Sequence, residues 1–390
     1  MGRTVTLVLV DADGGLLGAL PPFPVEVPWW QEVADVVDAA RREHGVEVQV
    51  LRLLHADRAH WPGGHVTYLA QVFVPPVAVL APADVDLSPH PLRAPYAEPG
   101  GPAASVAWAL AAAGRDDLTA VQQRTWNLSM IWHLDGPDGP VAWLKQVPAM
   151  FAHEPVVLAQ VDGVAPGLVP RVLRAAAPGR MLLAHVPGED RYGAGAGFCA
   201  AVAADWHPVQ AHFAARIDDL LTAGVPDRRF DADRYARVAE PYLDRIDGLA
   251  ALVDELPGRF AAIEECGLPD TLVHGDLHPG NVRGDGATRV IVDWGDATVA
   301  HPGYDILRLI EGLAEPGDVL AQWARRWRAE RPGCAPERAA DLLRPVAELR
   351  AAAAYADFLD RIEPAERPYH AEDVPVRLSA AVAAAVRWRA

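Results

Sequence analysis

Between Thr271 and Ala297 the chain reads TLVHGDLHPGNVRGDGATRVIVDWGDA, and this stretch restricts the fold more than any other. An apolar run, Thr271–Val273, leads into the loop His274-Gly275-Asp276-Leu277-His278-Pro279-Gly280-Asn281, and a second apolar strand, Arg289–Val292, delivers Asp293 at its end. Short apolar runs bounded by Gly, Pro and Asn read as strands, so two strands hold Asp276, Asn281 and Asp293 at one edge. Pro279-Gly280 turns the chain so that Asn281 faces back toward Asp276, and Gly275 permits a close backbone approach. A carboxylate beside an attacking hydroxyl, with oxygen ligands for a hard cation, is what transfer of a γ-phosphoryl group requires. Asp276 suits the first task; Asn281 and Asp293 suit the second.

His274-Gly275-Asp276 with Asn281, followed by Ile291-Val292-Asp293-Trp294, resembles the aminoglycoside phosphotransferase and choline kinase branch of the protein-kinase-like superfamily. Protein kinases carry H-R-D in this loop and D-F-G after it. The resemblance implies an α+β, bilobal kinase-like fold from about Ala104 onward, by the same motif logic. It implies Asp276 as catalytic base, Asn281 and Asp293 as magnesium ligands, and ATP as the phosphoryl donor. His274 would brace the loop. Asp305, in HPGYDILRLI, would cap a helix and support the loop from behind. His278 reads as a loop residue, since its neighbours already fill the required roles.

A matching lysine stands upstream. Gln122–Leu134 and Val141–Val147 read as paired strands of a small lobe, and alternation puts Val141, Trp143 and Lys145 on one face. Lys145 is the candidate for the α- and β-phosphates, with Trp143 offering its ring to adenine or to the core. Glu154 is the first acidic residue able to hold that lysine, although Pro155 forces it to the start of its helix. The first hairpin has Arg124-Thr125-Trp126-Asn127-Leu128-Ser129 where a protein kinase has a glycine loop, so backbone amides and Ser129 are the candidate phosphate contacts there. Met181–Val186 resembles the last small-lobe strand, with main-chain groups near His185 set to bond the adenine edge. Helices follow at Ala200–Ala223, Asp233–Glu255, Tyr304–Leu313, Val319–Glu330, Glu337–Ile362 and Val374–Trp388. Glu311, Tyr355 and Asp357 on these are candidate acceptor contacts.

The formal charge of −17 over 390 residues argues against nucleic acid and favours a cationic small molecule in an acidic cleft. The three cysteines lack metal-ligand spacing, which fits a reducing cytoplasm. No apolar run reaches membrane-spanning length and no signal peptide is expected.

Residues 1–78 read as a small α/β accessory module: a hairpin at Val5–Val10 and Leu16–Leu20, a helix at Trp29–His44 ending on Gly45, and strands at Val46–Leu54 and His65–Val74. Arg42-Glu43-His44-Gly45-Val46 resembles the end of a Nudix signature helix, with only Glu43 left of the acidic cluster, which implies that hydrolysis is lost. The proline-dense segment 79–103 reads as a semi-rigid linker, followed by a kinase-like N-lobe at 104–187 and a C-lobe at 188–390. The expected reaction moves the ATP γ-phosphate to a hydroxyl of a small polar molecule, tilted by acidity toward an aminoglycoside or amino sugar. Choline, homoserine or a neutral sugar would leave the motifs unchanged, and a catalytically silent nucleotide or metabolite binder would keep the same fold.

Overall fold

A computed structural model describes residues 2–57, 62–284 and 288–389. The chain divides into two compact units, residues 1–152 with 172–185 and 359–370, and residues 153–171 with 186–358 and 371–390.

The first unit holds two sheets. In one, β1 (Arg3–Val10), β2 (Leu16–Ala19), β3 (Phe23–Val25), β4 (Gln49–Ala56) and β5 (Gly64–Gln71) are arranged in the order β2-β1-β5-β4, with β3 also on β1. The central pair β1 and β5 is parallel, and in its second half both faces are covered, which is where β1 becomes the unbroken apolar run Leu7–Val10. Val5, Leu7 and Leu9 face α1 (Ala34–His44) and Trp30. Val8 and Val10 face Ala83, Val85 and Leu87 of the proline-rich segment, which lies across the sheet as a cover. The helix stops where the sequence indicates, at Gly45 with φ +66.

After α2 (Gly101–Ala113), the second sheet is built from β6 (Thr119–Trp126), β7 (Ser129–Gly136) and β8 (Gly139–Gln146), joined later by β9 (Val172–Ala176) and β10 (Arg180–Ala184) in the order β6-β7-β8-β10-β9. Here one expectation is corrected. Gln122–Leu134 is two strands, because Asn127-Leu128 form a tight turn that pairs Trp126 with Ser129; asparagine tolerates such turns, and the flanking apolar residues mask them in the sequence. Met130, Trp132, Leu134, Ala142, Leu144 and Leu182 pack on one face with Ala109 of α2. β8 occupies the centre of the sheet and presents Lys145 on the opposite face from Leu144.

The second unit begins with α3 (Glu154–Val164). After β11 (Glu189–Asp190) it continues through α4 (Ala196–Phe213), α5 (Ile217–Thr222), α6 (Ala232–Ala239) and α7 (Leu249–Glu264). Two small antiparallel ladders follow: β12 (Thr271–Val273) pairs with β15 (Thr298–Ala300), and β13 (Val282–Gly284) pairs with both β11 and β14 (Val290–Ile291). α8 (Gly303–Ile310), α9 (Gly317–Glu330), α10 (Pro336–Leu359) and α11 (Asp373–Arg389) complete it. The expected helix Ala200–Ala223 is divided between α4 and α5, and Asp233–Glu255 between α6 and α7. No helix among the described residues is long and apolar enough to cross a membrane.

Candidate active site

The two ladders hold the His274–Asn281 loop at both ends. Gly275 has φ +88, and a Cβ there would stand 2.2 Å from the Asp296 carbonyl oxygen, so only glycine fits. Pro279–Asn281 is one turn of 3-10 helix, closed by His278 Nδ1 accepting the Gly280 N–H at 3.0 Å. That turn returns Asn281 onto Asp276: its Nδ2 donates to the Asp276 carbonyl at 3.0 Å and to Oδ2 at 3.3 Å. The Val292 N–H donates to the Asn281 carbonyl at 2.8 Å, which places Asp293 one residue beyond Asn281 across the ladder. Asp293 has φ +64 and is the one non-glycine residue with positive φ among those described. An aspartate held in the left-handed region marks a position where side-chain direction matters more than backbone comfort.

The loop is held from behind by buried groups. Asp305 accepts the His274 N–H at 2.9 Å and the Gly275 N–H at 3.0 Å, and also takes Trp206 Nε1 at 2.8 Å and Gln210 Nε2 at 3.1 Å. Contrary to the expectation that it caps a helix, Asp305 lies inside α8 and does not cap it. Pro302 occupies the cap position, and both Asp305 oxygens are spent on the loop and α4. His274 is fully buried, and burial lowers its pKa, so the ring is neutral. Its partners fix the tautomer: Nε2 donates to the Val292 carbonyl at 2.9 Å and Nδ1 accepts the Asp276 N–H at 3.2 Å. Arg350 of α10 adds a bond from Nη1 to the Gly275 carbonyl at 3.0 Å.

Arg308, one helical turn after Asp305, donates from Nε to Asp276 Oδ1 at 2.7 Å. Burial alone would raise the Asp276 pKa. The His278 ring, 3.6 Å from Oδ2, and the Arg308 guanidinium outweigh it and hold the carboxyl well below the usual range. Arg308 also pairs with Glu311, Glu311 with Arg377 at 3.4 Å, and Arg377 with Glu348 at 3.0 Å. Charges therefore alternate outward from Asp276. Tyr355 is half-buried, and its hydroxyl pKa is raised by burial and then by Asp373. Asp357 is occupied by Arg234 at 2.8 Å and Arg228 at 3.4 Å.

Sequence reasoning missed Arg308, Arg350, Trp206 and Gln210. Arg308 carried a signal, since position i+3 from Asp305 lies on the same helical face. The others come from distant helices and carried none.

Glu154 is 1% exposed at the first position of α3, and its Oε1 accepts the Trp294 N–H at 3.2 Å, which brings it beside Asp293. In the first unit, Lys145 is buried on β8 opposite Ile131 and Met181. On the same strand, Trp143 donates from Nε1 to His185 Nδ1 at 3.0 Å with the rings stacked at 13°. The His185 N–H is bonded to the Val141 carbonyl at 3.0 Å. Ser129 is buried and its hydroxyl accepts Trp126 Nε1 at 2.8 Å.

His301, just before α8, shows what burial does to an imidazole. Its Nδ1 accepts the Gly303 N–H at 3.0 Å, and desolvation pushes its pKa down to about 3. The unfolded chain takes up a proton there below about pH 6.5 and the folded chain does not, so stability declines as pH falls from about 6.5 toward 3. Between pH 7 and 5 this amounts to about 2 kcal/mol. Urea midpoints for the native chain and His301→Asn at those two pH values are expected to show the loss shrinking in the variant.

Among the described residues no three His, Cys, Asp or Glu side chains form a metal cage. Asn281, at the end of the 3-10 turn, and Asp293, just beyond β14, supply oxygen donors, a set that fits a hard cation completed by phosphate and water rather than a closed protein site.

No curated protein matches the chain. Among solved structures, the apoenzyme of macrolide 2'-phosphotransferase MphH from Brachybacterium faecium is 18% identical with a TM-score of 0.50, covering 70% of this chain and 98% of its own. The GDP and kanamycin complex of APH(2")-IIia is 15% identical at TM-score 0.49, covering 70% and 97%. A choline/ethanolamine kinase family protein from Mesorhizobium loti is 18% identical at 0.46, covering 66% and 88%. The model of the phosphotransferase enzyme family matches residues 143–342, just over half of the chain and the whole His274–Asp305 site. The chain belongs to the phosphotransferase enzyme family and is a small-molecule phosphotransferase acting on a hydroxyl group.

Proposed function

We propose that this protein moves the γ-phosphate of ATP to a hydroxyl of a small polar acceptor, with residues 1–78 as a non-hydrolytic accessory module, 79–103 as its link, and lobes at 104–187 and 188–390. The observation that carries the reading is the bonded set Asp276–Asn281–Val292, with Asp293 next in line and Asp305 behind. Asp276 orients the acceptor hydroxyl and takes its proton as the new P–O bond forms and the bond from the γ-phosphorus to the β-phosphate oxygen breaks, releasing ADP. Its depressed pKa suits a loose transition state, in which the proton leaves late and positioning dominates.

Lys145 holds the α- and β-phosphates, and Glu154 orients that lysine. Asn281 and Asp293 are the residues that would hold Mg²⁺, which when bound neutralises charge on the transferring phosphate. Trp143 and His185 form a stacked pair suited to a flat base. Glu311 and Tyr355 face the acceptor; Asp357, engaged by two arginines, contributes charge rather than a free contact.

The acceptor class proposed first is an aminoglycoside or amino sugar, on the strength of the acidic composition. The alternating series Asp276, Arg308, Glu311, Arg377, Glu348 favours a second class, a hydroxyl compound carrying both a cationic and an anionic group, homoserine among them. Coupled ADP release with ATP or GTP, measured across amino alcohols, neutral sugars, aminoglycosides and hydroxy amino acids, separates them. Turnover confined to cationic acceptors supports the first class, and turnover confined to zwitterions the second. Nucleotide binding with no turnover of any acceptor would leave a silent binder instead.

A further inference from the structure

The turn of the β6–β7 hairpin contains no glycine, and the main-chain N–H and side-chain Oδ1 of Asn127 in it are taken by the distant segment 359–370 of the same compact unit. Glu366, 1% exposed, accepts the Asn127 N–H on its two oxygens at 3.1 and 3.0 Å, and Asn127 Oδ1 accepts the Glu363 N–H at 3.1 Å. This strap is fastened along its length. Arg93 donates to Glu363 at 3.0 Å, and the Tyr369 hydroxyl donates to the Ala56 carbonyl at 2.6 Å while accepting the Ala56 N–H at 2.7 Å. Ala56 is the last residue of β4, in the first sheet.

The same hairpin is bound from its other side by the first module. Gln122 exchanges two bonds with the main chain of Val50, at 2.9 and 2.7 Å. The Thr125 N–H donates to the Gln31 carbonyl at 3.1 Å, and the Gln123 carbonyl accepts the Val33 N–H at 2.9 Å. Arg124 pairs with Glu32. Arg124 stands opposite Ile131, and Ile131 opposite Lys145, so one row of the sheet runs from the first module to the lysine.

Glu366 is an expensive choice for a packing residue. Burial pushes its carboxyl up to about 8, with the bonds from Asn127 opposing the rise and the neighbouring Glu363 adding to it. An apolar side chain would fill the space without that penalty; what the carboxyl adds is an acceptor for Asn127, above all for its main-chain N–H.

We propose that the first module and the Leu359–His370 strap act as a brace for the β6–β7–β8 sheet, with Glu366 as the positioning residue that sets where Lys145 meets the nucleotide. The brace supplies by fixed contacts what a glycine loop supplies by closing over the phosphates, and it leaves the Asn127 amide and Ser129 hydroxyl bonded within the protein. This deepens the phosphotransferase reading and rests on Lys145 as the phosphate-holding residue.

The test compares native protein, Glu366→Ala, Glu366→Gln and Lys145→Met, using calorimetric ADP and ATP binding with magnesium and the KM for nucleotide and for acceptor. Glu366→Ala is expected to raise nucleotide Kd and KM about tenfold, roughly the worth of one hydrogen bond, with acceptor KM unchanged. Glu366→Gln keeps the oxygen for Asn127 and restores native nucleotide affinity. Should Glu366→Ala fail to fold, Tyr369→Phe loosens the other end of the strap without a buried cavity and is expected to shift nucleotide KM in the same direction. Glu366→Ala changing both KM values alike, or lowering only the melting temperature, overturns the brace. Lys145→Met binding nucleotide like the native protein overturns the role of the lysine, which is a separate outcome.

Discussion

Asp276→Asn is expected to lower kcat by about two to four orders of magnitude, the range removed when a positioned acid–base group is lost. Nucleotide affinity and melting temperature are expected to stay near native. The asparagine keeps the Oδ1 that receives Arg308 Nε and the main-chain carbonyl that receives Asn281 Nδ2, and gives up only the longer 3.3 Å bond from Asn281 Nδ2 to Oδ2, so the loop keeps its main fastenings. The Arg308 pair lies half-exposed, with side-chain exposures of 35% and 39%, and exposed pairs contribute little to stability. What is lost is an oxygen able to take the acceptor proton, an interaction made in the transition state and not in the ground state, so kcat and kcat/KM fall together. Single-turnover phosphoryl transfer at saturating ATP and acceptor separates the chemical step from ADP release. A variant within about tenfold of native kcat would remove Asp276 from the role of base and orienter, since even the lower end of the range exceeds that.

The site was legible in the sequence where the chain itself keeps its parts close. His274, Asp276 and Asn281 share one loop, and Asp293 is a single hairpin away, so spacing and turn residues carry the geometry. Glu154 was placed at a helix start by Pro155 alone, and it stands there, bonded to the residue after Asp293. Legibility fails where contacts join distant segments. Trp206 and Gln210 reach Asp305 from α4, and both look like ordinary buried residues of an alanine-rich helix. The parallel pairing of β1 with β5 is invisible to periodicity, which does not report the neighbour a strand chooses, and Leu7–Val10, buried on both faces, has no alternation to read. The strap at 359–370 overlaps the end of the expected helix Glu337–Ile362, and its bonds to Asn127 and Ala56 span most of the chain. Net charge was the weakest guide, since it sums over the surface while the site arranges its charges in alternation around Asp276.

Asp305→Ala is expected to destabilise the protein by about 3–5 kcal/mol, the usual cost of deleting one partner from a buried charged network. Asp305 is 2% exposed and accepts four hydrogen bonds from His274 N, Gly275 N, Trp206 Nε1 and Gln210 Nε2. Alanine leaves these donors without an acceptor in a space closed to water, and each orphaned donor costs about 1–3 kcal/mol before relaxation. Asparagine is expected to recover only part of the loss, because its amide would turn N–H toward N–H on one side. Activity should fall further than stability alone accounts for, since Gly275 fixes the turn that presents Asp276 and its amide would no longer be held. Urea midpoints give the first quantity, and hydrogen exchange at the His274 and Gly275 amides gives the second. Protection of those two amides is expected to drop in Asp305→Ala and to persist in Asp276→Asn. The two variants thus separate a carboxylate that builds the loop from one that works in it: a stability loss under about 1 kcal/mol with unchanged exchange would show Asp305 to be an ordinary buried residue rather than the loop's anchor.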